Sequence, residues 1–133
     1  MATPSAGLYA RLSGFAGLTA LVSTRIYPGV VPQEQVEPAV AFVRIDEPEE
    51  VEAMGENADI LETRFEVTSL GPTYDSCEAV HEQVRAACRR FRGTVGGLEI
   101  TDTLLREGEG PLALDDPPTY EATQDVLVRY RRV

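Results

Sequence analysis

A chain of 133 residues, 43% apolar and 26% charged, is long enough to bury one core and has the composition of an ordinary globular domain. Its 22 acidic residues against 12 basic ones leave a net charge of −10, which argues against wrapping nucleic acid, because phosphate binding needs an excess of basic charge. No apolar run approaches the ~20 residues of a membrane span, and Met1–Ser5 has no basic patch leading an apolar run, so neither a span nor a secretory leader is expected.

All twelve basic residues are arginine. That fits either a GC-rich coding sequence or a preference for the planar, bidentate guanidinium at interfaces.

Residues 5–22 read as an amphipathic helix with a break near Gly14 and Gly17. Leu8, Leu12 and Phe15 fall at helical spacing, and Leu18 and Leu21 extend the stripe. Thr3 or Ser5 can cap its start, and Pro4 suits the first turn. Arg25-Ile-Tyr reads as a short strand stopped by Pro28-Gly29. Pro28, Pro32 and Pro38 then punctuate an extended loop that cannot be a central strand, since each proline lacks an N–H. A strand resumes from Pro38 to Ile45.

Asp46 to Glu62 is the compositional outlier, with eight carboxylates and no base. It reads as a flexible acidic loop or a projecting β-hairpin turning at Gly55-Glu56-Asn57. From Ile60 to Leu70 the pattern alternates: Leu61, Thr63, Phe65 and Val67 on one side, Glu62, Arg64, Glu66 and Thr68 on the other. That is a half-buried antiparallel strand ended by Gly71-Pro72.

Thr73 to Phe91 is the clearest helix. Cys77, Val80, Val84, Cys88 and Phe91 form one stripe, Thr73 can cap the start, and Gly93 can stop the end. Asp75 and Glu78 suit its positive N-terminal end; Arg85, Arg89, Arg90 and Arg92 suit its negative C-terminal end. Leu98–Glu107 and Tyr120–Val133 read as two strands joined by a Gly-, Pro- and Asp-rich loop, Gly108 to Thr119. At ~3.3 Å per residue the last strand would run ~40 Å. A domain of this length is only ~35 Å across, so the strand bends or one end protrudes. The order α-β-β-β-α-β-β predicts an α+β fold, a mainly antiparallel sheet of four to five strands flanked by two helices.

Nothing in the sequence assembles a reaction centre. The single histidine, His81, has no nucleophile motif beside it and reads as a partly exposed helix residue. Cys77 and Cys88, eleven residues apart in one helix, would be ~16 Å apart, too far for a disulfide, so both read as buried free thiols. Neither zinc nor calcium-loop spacing is present. Adjacent carboxylates such as Glu49/Glu50 and Asp115/Asp116 are too common here to mark a catalytic pair. Gly93-Thr-Val-Gly-Gly follows a helix instead of preceding one, so it is not a phosphate loop. No enzyme activity, metal or cofactor is expected.

Taken in order, several pieces resemble the tail-completion, or tail-terminator, proteins of long-tailed bacteriophages and related gene-transfer particles. They are the N-terminal helix with Leu18, Leu21 and Val22, then Arg25-Ile-Tyr-Pro, then the prolines leading to Pro38 and the strand Val40–Val43. The strand Arg64–Thr68, Thr73-Tyr74-Asp75 and the helix with Val80 and Val84 complete the set. The resemblance covers nearly the whole chain and implies one tail-terminator-like domain, residues 1–133, with an acidic loop or hairpin at about 46–60. It implies a homo-oligomeric ring, expected to be a hexamer, assembled in the host cytoplasm and placed in the virion at the head-proximal end of the tail. There it would cap the tail tube, end tube polymerisation and meet the neck or head-closure protein. Genomic DNA would pass through without specific binding, and no membrane is involved.

On that reading Glu49, Glu50, Glu52, Glu56 and Asp59 are candidates to face the lumen or a ring surface, the alternative being an outward solvated loop. Tyr27, Pro28, Arg129 and Arg131 are candidate subunit contacts. Other readings are a neck or head-closure subunit docking on the portal, and an unrelated small cytosolic binding domain.

Overall fold

The computed structural model describes residues 3–30, 32, 37–46, 49–50, 60–114 and 119–132. The first helix, α1 (Pro4–Ser13), starts where Thr3 Oγ1 accepts from the Ala6 N–H at 3.1 Å, with Pro4 in its first turn. It buries Leu8 and Leu12, one turn apart. At Phe15 the backbone becomes extended, and a second helix, α2 (Ala16–Val22), follows and buries Leu18 and Val22. The expected break therefore falls at Gly14–Phe15 alone. Gly17 stays helical and serves packing: a Cβ there would meet Gln83 Oε1 at 2.1 Å.

The strand β1 (Ile26–Pro28) runs parallel to β2 (Ala39–Arg44), with Ile26 opposite Val40. Every other pairing is antiparallel. The two-residue β3 (Glu49–Glu50) and β2 share one edge of β4 (Leu61–Gly71), whose other edge takes the last strand, β7 (Thr119–Arg132). Between β4 and β7 come the helix α3 (Tyr74–Cys88), a short β5 (Gly93–Val95) and the long β6 (Leu98–Leu114). The sheet has seven strands, six in the order β1-β2-β4-β7-β6-β5 with β3 beside β4.

Among the described residues, three helices and seven strands thus stand where two helices and four to five strands were expected, within the same α+β class. One helix more comes from the Phe15 break. β5 is gained because Gly96 and Gly97, at φ 59° and 76°, form a two-residue hairpin turn that only glycine adopts without strain. β6 runs past Glu107 because the turn-like Gly108–Pro111 stretch lies on an edge and is absorbed as bulges. Its register slips between Ile100 and Asp102, Leu105 and Gly108, and Glu109 and Leu112.

One sheet face and the three helices share a single core. Leu8, Leu12, Leu18, Val80 and Val84 from the helices meet Val40, Phe42, Phe65, Val67, Val126 and Val128 from the strands. The alternation read in β4 holds: Thr63, Phe65 and Val67 are buried, Arg64 and Glu66 exposed. Thr73 and Ser76 cap α3 reciprocally at 3.1 Å each way. At the other end the helix stops at Cys88, short of Phe91. There the Thr103 hydroxyl of β6 donates to the Cys88 carbonyl and accepts from the Phe91 N–H. The Arg11 Nε–H donates to the Ala87 carbonyl at 2.7 Å, and its guanidinium lies 4.0 Å over the Phe91 ring.

Candidate assembly surfaces

Because α1, α2 and α3 share their core with one sheet face, the other face carries the alternate residues: Glu62, Arg64 and Glu66 on β4, and Asp125, Leu127, Arg129 and Arg131 on β7. Register decides which charges meet. Glu62 stands opposite Arg129, and the Arg129 Nε–H donates to Glu62 Oε2 at 2.7 Å. Glu99 stands opposite Arg131, with their charged groups 3.4 Å apart. Both arginines singled out as subunit contacts therefore hold cross-strand ion pairs within their own chain, each contributing ~0.2–1 kcal/mol at this exposure.

Tyr27 is half-buried in β1, and Pro28 is exposed at its end. Glu49 and Glu50 form β3, opposite Glu62 and Leu61, so the two sides of the acidic segment meet as antiparallel strands at that point. Glu52, Glu56 and Asp59 lie outside the described residues. Asp46 leaves β2 and turns back: its Oδ1 accepts from Thr63 Oγ1 at 3.0 Å and from the Arg64 N–H at 2.9 Å. It forms one wall of a groove of about 760 Å³ on the open face, with Glu62, Arg64, Arg106 and Asp125 around it.

Two further hollows flank the bulged part of β6. The one on the open face, about 370 Å³, gathers Glu66, Glu107, Glu109, Glu121 and Asp125 and no base. The one on the helix side, about 330 Å³, lies between α3 and β6. It is lined by Glu78, His81, Glu82 and Arg85 from the helix, by Arg106 and Glu109 from the strand, and by Gln124 from β7. Sequence reasoning placed the acidic surface in residues 49–59 and missed these. The signal available was the outward phase of β4 and β7, which sets Glu66 opposite Asp125.

His81, expected to be partly exposed, is only 7% exposed, and its Nδ1 is buried without a hydrogen-bond partner. Burial, reinforced by Arg85, lowers its pKa. The sign follows from linkage. The unfolded imidazole, near its ordinary pKa of ~6.5, takes up a proton before the folded one does. Stability from this group is therefore full above that value and lost as pH falls through it toward the lowered folded value. In urea titrations at pH 7.5 and 5.5, wild type should lose more stability on acidification than His81→Gln.

Cys77 and Cys88 are free and buried; burial pushes the first thiol up to about 11 and the second to about 12. Neither holds an appreciable thiolate fraction at neutral pH. Among the described residues no group of three His, Cys, Asp or Glu side chains is placed to hold a metal ion, and no helix is long and apolar enough to cross a membrane.

A helix-covered sheet with one open, charged face and charge-lined hollows beside its edge strand defines a small α+β module. The chain belongs to the tail completion protein gp17 family, whose model matches residues 6–131. It is accordingly a structural protein of a viral tail, working among other virion proteins. No curated protein matches the sequence. Its fold is similar to that of a chain in a solved structure described as "Virion of native gene transfer agent (GTA) particle". The TM-score is 0.71 at 14% identity, covering 96% of this chain and 94% of that one. A second solved structure is similar with a TM-score of 0.59, also at 14% identity, covering 97% of this chain and 94% of the other.

Proposed function

We propose that this protein is a non-enzymatic tail terminator, a homo-oligomeric and most simply hexameric ring. It caps the head-proximal end of the tail tube, halts tube polymerisation, and forms the tail side of the head–tail joint around a channel for DNA. The observation that carries this reading is the family match across residues 6–131, on a fold that leaves one sheet face open for assembly. The similarity to a chain of a gene-transfer-agent virion supports it.

Charge agrees with the role. At −10 per copy, six copies sum to roughly −60 before counterion screening. A lumen sharing that charge repels the DNA backbone, whereas retention grows with each phosphate neutralised. In this reading Glu49, Glu50, Glu52, Glu56 and Asp59 face the channel or a ring surface, and Tyr27, Pro28, Arg129 and Arg131 lie near subunit contacts. Assembly would take place in the host cytoplasm.

The test is to add the purified protein to polymerising tail tubes and image them by negative stain. Capped ends and arrested growth are expected. Bare ends that keep lengthening would refute the reading, and binding to the portal instead of the tube would move the protein to the neck. Particles carrying the five acidic residues as amides should still assemble but eject DNA more slowly; unchanged ejection removes those residues from the lumen.

A further inference from the structure

The exposed ends of α3 differ in sign. At its C-terminal end Arg89 and Arg92 are exposed and have no ion-pair partner among the described residues, while Arg90 is held by Asp102 at 2.9 Å. Toward its N-terminal half the helix forms one wall of the cleft against β6, with Glu78 and Glu82 on that wall and Glu109 facing them from the strand. Of the two bases in the cleft, Arg85 is already paired with Glu82 at 3.7 Å, and Arg106 is exposed.

A feature of this cleft and a feature of the hollow behind it mark this part of β6 as a place for a cationic hydrogen-bond donor. His81 lines the cleft, is more than nine-tenths buried, and has no partner for Nδ1. A neutral imidazole offers a lone pair there when its other nitrogen carries the proton. On the far side of the same strand segment lies the hollow of five carboxylates without a base. The bulged stretch of β6 is therefore acidic on the open face, while toward the helix it sets Glu109, shared by both hollows, beside Arg106 and opposite Glu78 and Glu82. Its bulges, glycines and Pro111 disfavour simple strand addition along its edge.

We propose that Arg89 and Arg92 of one copy dock on this stretch of a second copy, one guanidinium entering the cleft beside His81, Glu78 and Glu109. The occupant is a second copy because the fit is complementary in charge and this chain's only cations are arginines. Donor and acceptor patches are different surfaces, so the contact is head-to-tail and repeats until rotation closes it into a ring. This inference rests on the ring reading above and assigns its interface.

Two reversed chains test it, Arg89→Glu/Arg92→Glu and Glu107→Arg/Glu109→Arg, with native mass measured alone and mixed, in solution and on tail tubes. Each alone should self-associate about 100-fold more weakly than wild type, and the mixture should recover rings with even copy number. Gly110→Trp is the steric control. A side chain there starts in open space, with nothing within 4 Å, so it should fill the cleft and weaken assembly about tenfold without unfolding the chain. Wild-type rings accompanied by undisturbed rings of both reversed chains, or a mixture that fails to assemble, would overturn this interface and leave the terminator role standing. Assembly that stops at a dimer would overturn the head-to-tail contact. A wild-type chain that associates neither in solution nor on tubes would overturn both.

Discussion

Thr103→Val should destabilise the fold by roughly 2–4 kcal/mol, although valine fills the same space. The Thr103 hydroxyl is a two-way clasp: it donates to the Cys88 carbonyl and accepts from the Phe91 N–H at 2.7 Å. The side chain is 2% exposed, so water cannot replace it. Valine leaves the buried Cys88 carbonyl and the part-buried Phe91 N–H without this partner, an unsatisfied buried group costing ~1–3 kcal/mol. The Arg90 N–H bond to the Thr103 carbonyl, 3.1 Å, belongs to the backbone and survives. In the proposed interface the position also bears on assembly, because this clasp ends α3 just before the exposed Arg89 and Arg92. Urea unfolding of Thr103→Val beside Thr103→Ser is the check. Serine keeps the hydroxyl and should retain most of the stability; a valine variant within ~0.5 kcal/mol of wild type would mean the helix end is satisfied by other groups.

The same residue explains what the sequence could and could not show. The stripe Cys77, Val80, Val84 and Cys88 is local, and all four are buried in α3. The end of the helix is not local. Periodicity carried it to Phe91, but a threonine fifteen residues beyond Cys88 captures the last carbonyl, and Arg90 takes the left-handed conformation at φ 51°. The alternation of β4 was legible for the same reason as the stripe of α3: burial has a fixed period on each element. The Gly108–Pro111 stretch was not legible as strand, because an edge strand tolerates the residues that make turns. Arg129 and Arg131 were legible as charged residues in the alternation of the last strand. Whether they faced a neighbour or their own chain depended on register, which sets Glu62 and Glu99 opposite them. Surface hollows are harder still, since the five carboxylates on the open face come from three strands and share no motif.

Phe65→Ala should cost about 3–5 kcal/mol, the range for deleting a fully enclosed aromatic side chain. Phe65 is 0% exposed on β4, which lies between β2 and β7. Its ring meets Phe42 edge-on, 6.2 Å between centroids at 64°, and its backbone pairs with Val126. The neighbours that would have to collapse into the void sit on paired strands and on α3, so the cavity should stay largely open. Against a total stability of ~5–15 kcal/mol, that loss is large. It also reaches the open face. Thr63 and Arg64, the residues that hold Asp46, and Glu62, which holds Arg129, lie one to three residues along the same strand. A strand that loses its anchor loosens the register on which those charge pairs depend. Phe65→Leu, which keeps most of the volume, should lose about 1–2 kcal/mol and retain assembly. Chemical denaturation gives the two stabilities, and native mass at the same protein concentration reports the assembly. A Phe65→Ala chain within 1 kcal/mol of wild type would show that this core closes around the gap, and would detach the outer charge pairs from the packing beneath them.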